Sequence, residues 1–171
     1  MPVKKIKKLA EYGMGIAAHT KTHPDLTQNL TDEQLWDEIF GSKERLEELG
    51  FKIRTFVYPG GAYNDRVISY VKEAGYVCAR SCNDTVYHLD TTDPNARFYI
   101  GAYPIANETS QEDFKRMLAN AGRQQLVCLC YHFVSDTGPP ETSVSVEKFQ
   151  YQMQYLKENG FTVALLPDLF R

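Results

Sequence analysis

Three of the four histidines in this chain, His19, His23 and His132, stand in patterns that suit catalysis. His19 and His23 are four residues apart in His19-Thr20-Lys21-Thr22-His23-Pro24. Two imidazoles at that spacing can share one divalent metal, each nitrogen reaching it at about 2.0–2.1 Å. Helical spacing would place both rings on one face, but Pro24 disfavours helical backbone at His23. A histidine at a strand end, followed by one from the next turn, is therefore the expected arrangement. The spacing by itself also arises by chance in loops. His132 follows the apolar run Leu126-Val127-Cys128-Leu129-Cys130-Tyr131. Residues at i, i+2 and i+4 of a strand share a face, so Cys128, Cys130 and His132 would line one side. An imidazole there can donate a proton to a leaving amine. A partly buried ring bonded to a backbone carbonyl accounts for the same residue. Zinc held by the two thiolates is the weaker alternative, because Cys128 would sit deep in the strand.

Arg80 is a further candidate. Along Val77 to Cys82, alternation places Cys78, Arg80 and Cys82 on one face and Ala79 on the other. An arginine near the C-terminal end of a strand can orient a carboxylate through paired hydrogen bonds. It can equally lie on the surface with its alkyl stem along the rim.

The elements that must position these groups alternate short apolar runs with helical segments, the pattern of βα units and a mostly parallel sheet. A first helix from Val3 to Tyr12 ends at Gly13, and Met14 to His19 reads as a short strand. Thr31 and Gln34 form a capping box, with Leu30 and Leu35 as its hydrophobic staple. The helix they open carries Leu35, Ile39, Leu46 and Leu49 and ends at Gly50. Ile53 to Val57 is the next strand, broken by Pro59-Gly60-Gly61. A helix from Asn64 to Ala74 leads into a strand from Tyr76 to Ser81. Residues 83–96 read as an excursion loop and Arg97 to Ala102 as a strand. Ser110 caps a helix bearing Phe114, Met117 and Leu118, before the strand Leu126 to Tyr131. Ser145 caps a helix with Phe149, Met153 and Leu156, and Phe161 to Leu165 closes the series as a strand. In parallel α/β folds functional groups gather beyond the C-terminal strand ends, which is where His19, Tyr58-Pro59-Gly60, Arg80 and His132 fall.

A chain of 171 residues suits one domain. Its net charge is −3, and beyond the opening Lys4, Lys5, Lys7 and Lys8, which read as a solvated helix face, there is no basic stripe for nucleic acid. No apolar run approaches the roughly 20 residues that span a bilayer. The four cysteines are expected as reduced, mostly buried thiols.

The segment His19 to Pro24 resembles the metal-binding motif of the NodB-homology polysaccharide deacetylases, carbohydrate esterase family four. Phe56-Val57-Tyr58-Pro59-Gly60-Gly61-Ala62-Tyr63-Asn64 is similar to that family's third motif, and Leu126 to His132 to its fifth. The stretch from Phe149 to Asp168 resembles the closing helix, strand and short helix. The resemblance implies a distorted (β/α) barrel, incomplete at its N-terminal strands, over residues 1–171 as a single catalytic domain. It implies a divalent metal, commonly zinc, with His19 and His23 as ligands and His132 as the acid that protonates the departing amine. Tyr58, Pro59 and Gly60 would border the substrate, with the Gly60 N–H facing the oxyanion.

Three departures accompany the resemblance. The family's Thr-Phe-Asp-Asp segment, the source of the catalytic base and a third ligand, has no counterpart before His19. Val57 stands where the third motif often has an arginine, a role Arg80 could take over in part. Gly60 replaces the usual aromatic. The leading expectation is a metal-dependent hydrolase that removes N-acetyl groups from an amino-sugar glycan. A catalytically silent carbohydrate-binding remnant and a metal-dependent amidase on a non-sugar amide are the alternatives. Without the Asp-Asp strand the chain is expected to be nearly inactive and to self-associate through exposed sheet edges, unless Asp65 or Asp84 supplies a carboxylate.

Overall fold

Local sequence sets where each element starts and stops. The protein is described from a computed structural model, which describes residues 2–122 and 124–170. Helix α1 (Val3–Glu11) ends where Gly13 takes a φ of 84°, a left-handed conformation that glycine adopts without penalty. The capping box at Thr31 is present in full. Its hydroxyl accepts from the Gln34 amide, and the Gln34 side chain accepts from the Thr31 amide. The helix it opens runs in three parts: α2 (Asp32–Trp36), a π-helical turn (Asp37–Gly41) and α3 (Ser42–Glu48). Strand β1 (Thr55–Val57), helix α4 (Asp65–Glu73) and strand β2 (Cys78–Arg80) follow.

The described residues group into two compact units. The first comprises residues up to Ser81 with 93–100 and 164–170. Its centre is a parallel arc. Ala18 bridges to Phe56, β1 pairs with β2 in register Phe56↔Ala79, and Arg80 bridges to Ile100. Residues 14–19 thus run parallel to β1 as expected, although they pair only at Ala18. One face of the arc packs Ala18, Phe56 and Ala79 against Leu35, Ile39, Val67 and Val71, all fully buried. The larger of these, Phe56, Leu35, Ile39, Val67 and Val71, each contribute about 1.5–3 kcal/mol by leaving water. Tyr58 and Tyr76 join this core, their rings 5.4 and 5.2 Å from that of Phe56.

The second unit holds residues 82–92 and 101–163. The excursion after Ser81 is not a bare loop: β3 (Tyr87–His88) pairs antiparallel with β5 (Gln125–Leu126). Strand β4 (Tyr103–Ile105) pairs in parallel with β6 (Leu129–Tyr131), and β7 (Phe133–Val134) with β8 (Ser143–Val144). Helices α5 (Gln111–Leu118) and α6 (Val146–Glu158) are capped by Ser110 and Ser145. Phe114, Leu118, Leu156 and Ile105 form the core of this unit.

Several sequence expectations change. Arg97 to Ala102 is not a strand. Ala96–Phe98 forms a 3-10 turn, and only Ile100 bridges to the sheet. The run Leu126 to Tyr131 divides into β5 and β6. Phe161 to Leu165 forms no strand, and Val163 is 82% exposed, so nothing there rewards sheet pairing. The strands make four two-stranded pairings, and no closed barrel is present among the described residues.

Candidate functional site

The chain leaves the sheet immediately after Ala18, whose amide donates to Thr55 O and whose carbonyl accepts from Val57 N. His19 Nδ1–H donates to the Val57 carbonyl across 2.8 Å. A carbonyl only accepts, so Nδ1 carries the hydrogen of this bond. Metal-ligating histidines are commonly oriented in this way, by a backbone carbonyl on the opposite ring nitrogen. The following turn folds tightly on itself. Thr20 and His23 have φ values of 63° and 62°, the left-handed region that non-glycine residues adopt at a cost of about 1–2 kcal/mol each. The Thr20 hydroxyl donates to His19 O and accepts from the His23 amide at 3.0 Å. This turn brings the two imidazoles together, ring centroids 4.8 Å apart at 81°. Both side chains are exposed.

Beneath the turn lies Glu38, on the π-helical segment and only 9% exposed. Its Oε2 accepts from the backbone amides of Lys21 at 2.7 Å and Thr22 at 3.0 Å. Its Oε1 accepts from the Thr22 hydroxyl. Sequence reasoning passed over Glu38. The signal was a carboxylate at i+3 from Leu35 and beside Ile39, on the apolar face of an amphipathic helix.

At the end of β1, Tyr58 N donates to Arg80 O, and Pro59–Gly61 turns the chain. Gly60 is exposed with φ 59°. A Cβ there would meet no atom within 4 Å, so backbone conformation and not space requires glycine. Tyr58 and Pro59 stand just before it in the chain. Both side chains are buried, and the Tyr58 hydroxyl donates to Phe98 O at 2.7 Å. Burial raises the Tyr58 phenol far above its ordinary range.

Arg80 is half-buried, pairs in register with Val57, and donates to Ser81 O at 3.0 Å. With Thr55, Val57 and Arg54 it lines an open cavity of about 510 Å³ in the first unit. Neither His19 nor His23 lines that cavity. The expected alternation along β2 holds: Ala79 faces the core with Phe56, while Cys78 Sγ meets Thr55 Oγ1 at 3.5 Å. His132 lies in the second unit, exposed between β6 and β7, with Cys130 buried two residues before it. Among the described residues no three His, Cys, Asp or Glu side chains converge as a complete metal-ligand set. A catalytic zinc site takes three protein ligands, so the imidazole pair by itself does not make one.

These features define an α/β protein built on parallel strands, with paired imidazoles at the carboxyl edge of its sheet. Residues 2–79, which contain His19, His23 and the Tyr58-Pro59-Gly60 turn, match the family model described as polysaccharide deacetylase. Through this stretch, a little under half of the chain, the protein is similar to that family. A peptidoglycan-N-acetylglucosamine deacetylase of Bacillus cereus is 26% identical over 166 residues, covering 97% of this chain and 68% of that protein. YxkH of Bacillus subtilis is 31% identical over 72 residues, 42% of this chain and 25% of that protein. The crystal structure of a polysaccharide deacetylase from Bacillus cereus superposes with a TM-score of 0.59 at 25% identity, over 69% of this chain and 36% of that one. The chain thus spans from 25% to 68% of the length of these relatives.

Proposed function

We propose that this chain carries the imidazole side of a metal-dependent deacetylase centre that removes acetyl groups from an N-acetylated amino-sugar glycan. The observation that carries the proposal is the His19–His23 pair, 4.8 Å between ring centroids, with His19 oriented by the Val57 carbonyl. His19 and His23 would hold a divalent cation, for which zinc suits two imidazoles. When bound, such an ion polarises a carbonyl oxygen and acidifies a coordinated water. Gly60, at the exposed tip of its turn, would present its N–H to the oxygen that gains charge in the tetrahedral state. Arg80 would orient a carboxylate through its guanidinium. His132 would deliver a proton to the departing amine.

The test is zinc titration against a competing chelator, for the parent chain and for His19→Ala and His23→Ala. Each variant should lose stoichiometric uptake while keeping its circular dichroism. Release of acetate from oligomers of N-acetylglucosamine is assayed alongside, and whatever activity the parent chain shows should fall in His132→Ala. Unchanged zinc binding in both histidine variants would overturn the metal assignment.

A further inference from the structure

We propose that Glu38 is the positioning residue of the histidine pair, its buried carboxylate clamping the turn that sets the separation of His19 and His23. This rests on the metal reading above. The turn between the two rings is intrinsically unfavourable, since Thr20 and His23 are both left-handed without being glycine. Such conformations persist only where the surroundings over-determine them. Glu38 supplies that determination, with three hydrogen bonds from the two residues that lie between the strained positions. A carboxylate accepting backbone amides in a low-dielectric setting holds them more strongly than neutral acceptors do.

The helix is shaped for this contact. Glu38 sits in a π-helical turn, a wider turn that redirects side chains and often accompanies functional sites. Gly41 closes it, and the missing side chain admits Lys21. A Cβ at that position would lie 3.3 Å from Lys21 Cδ and 2.7 Å from Asp37 Oδ1. Lys21 Nζ then pairs with Asp37 at 2.8 Å on the exposed side. Each end of the clamp thus belongs to the same five-residue turn.

The experiment measures zinc affinity of the full chain by chelator competition for the parent, Glu38→Ala, Glu38→Gln, Thr22→Val and His23→Ala. Hydrogen exchange of the metal-free proteins is followed in parallel. Glu38→Ala should weaken zinc binding about 10–100-fold, the usual loss when an outer partner of a ligand is removed. The Lys21 and Thr22 amides should exchange faster, while those of β1 and β2 keep their protection. Glu38→Gln retains an oxygen for the two amides and should recover most of the affinity. Zinc affinity of Glu38→Ala equal to the parent's overturns the proposal, as does loss of β1 protection in step with the turn. Should Glu38→Ala fail to fold, Thr22→Val decides. It removes one clamp bond from an exposed residue, and unaltered affinity rejects the clamp. If His23→Ala binds zinc like the parent, the metal reading itself falls. If His23→Ala loses zinc and Glu38→Ala does not, only the clamp falls.

Discussion

Tyr76 donates its hydroxyl to the Ile39 carbonyl at 2.9 Å, and that carbonyl lies in the π-helical turn that carries Glu38. Ser42 donates to the same oxygen, also at 2.9 Å. One carbonyl of the wider turn therefore takes two side-chain donors, both from buried residues. The residue that begins the approach to β2 thus helps fix the helix that faces the histidine turn.

Replacing Tyr76 with Phe removes one of these donors and leaves the Ile39 oxygen bonded to Ser42. The expected cost is about 1 kcal/mol, a typical net value for one buried hydrogen bond. For a chain of this size that corresponds to a fall of about 2–4 °C in Tm. Thermal unfolding measures it, and a Tm equal to the parent's would show that the bond does not support the fold.

Phe56→Ala should be far more severe. The ring is fully buried at the middle of β1, against the rings of Tyr58 and Tyr76. Truncation of such a residue costs about 3–5 kcal/mol through lost burial and the cavity left behind. Urea unfolding should show a midpoint well below the parent's. A loss under about 1 kcal/mol would mean that the site collapses onto the void.

Gly41→Ala separates stability from positioning. Gly41 has helical dihedrals, φ −60° and ψ −31°, so alanine fits the backbone and should gain up to about 1 kcal/mol of helix propensity. The new methyl meets only the far ends of Asp37 and Lys21, which move away at the expense of an exposed ion pair worth about 0–1 kcal/mol. Tm should hold or rise, while Lys21 is displaced from its place over the turn. A marked fall in Tm would show that the Asp37 carboxylate has nowhere else to go.

Asp25, just after the histidine turn, gives a pH prediction. The Thr27 hydroxyl, the Thr27 amide and the Gln28 amide group all donate to its carboxylate, holding it below its ordinary value of 3.8. A carboxyl depressed in the folded state adds stability that is fully present above its unfolded pKa. That contribution is lost as pH falls through the folded value. Asp25→Asn should therefore lower stability at neutral pH and make no difference in strong acid. A stability gap that persists unchanged in strong acid would remove Asp25 as its cause.

Much of this was legible in the sequence. The caps at Thr31, Ser110 and Ser145 use local side-chain chemistry and are found where their residue types stand. The spacing of His19 and His23 with Pro24 led to a strand-end turn, and the rings do meet. Elements decided by tertiary partners were not legible. Phe98, Ile100 and Ala102 alternate with a period of two, yet Asp93 accepts from the amides of Asn95 and Ala96 and starts a 3-10 turn instead. The apolar run 161–165 had the composition of a strand but pairs with no strand among the described residues. The π-helical turn leaves no mark on the spacing of Leu35 and Ile39, so the orientation of Glu38 could not be foreseen.

Each compact unit contains one buried cysteine, Cys78 in the first and Cys130 in the second. Burial raises the Cys78 thiol above its ordinary value, and only a solvated thiolate reacts readily with alkylating reagents. The half-buried Cys82 and Cys128 can be changed to serine, leaving a single slow thiol in each part of the chain. Alkylation followed by peptide mass analysis then becomes a clock with two hands, timing how often each unit opens on its own under native conditions.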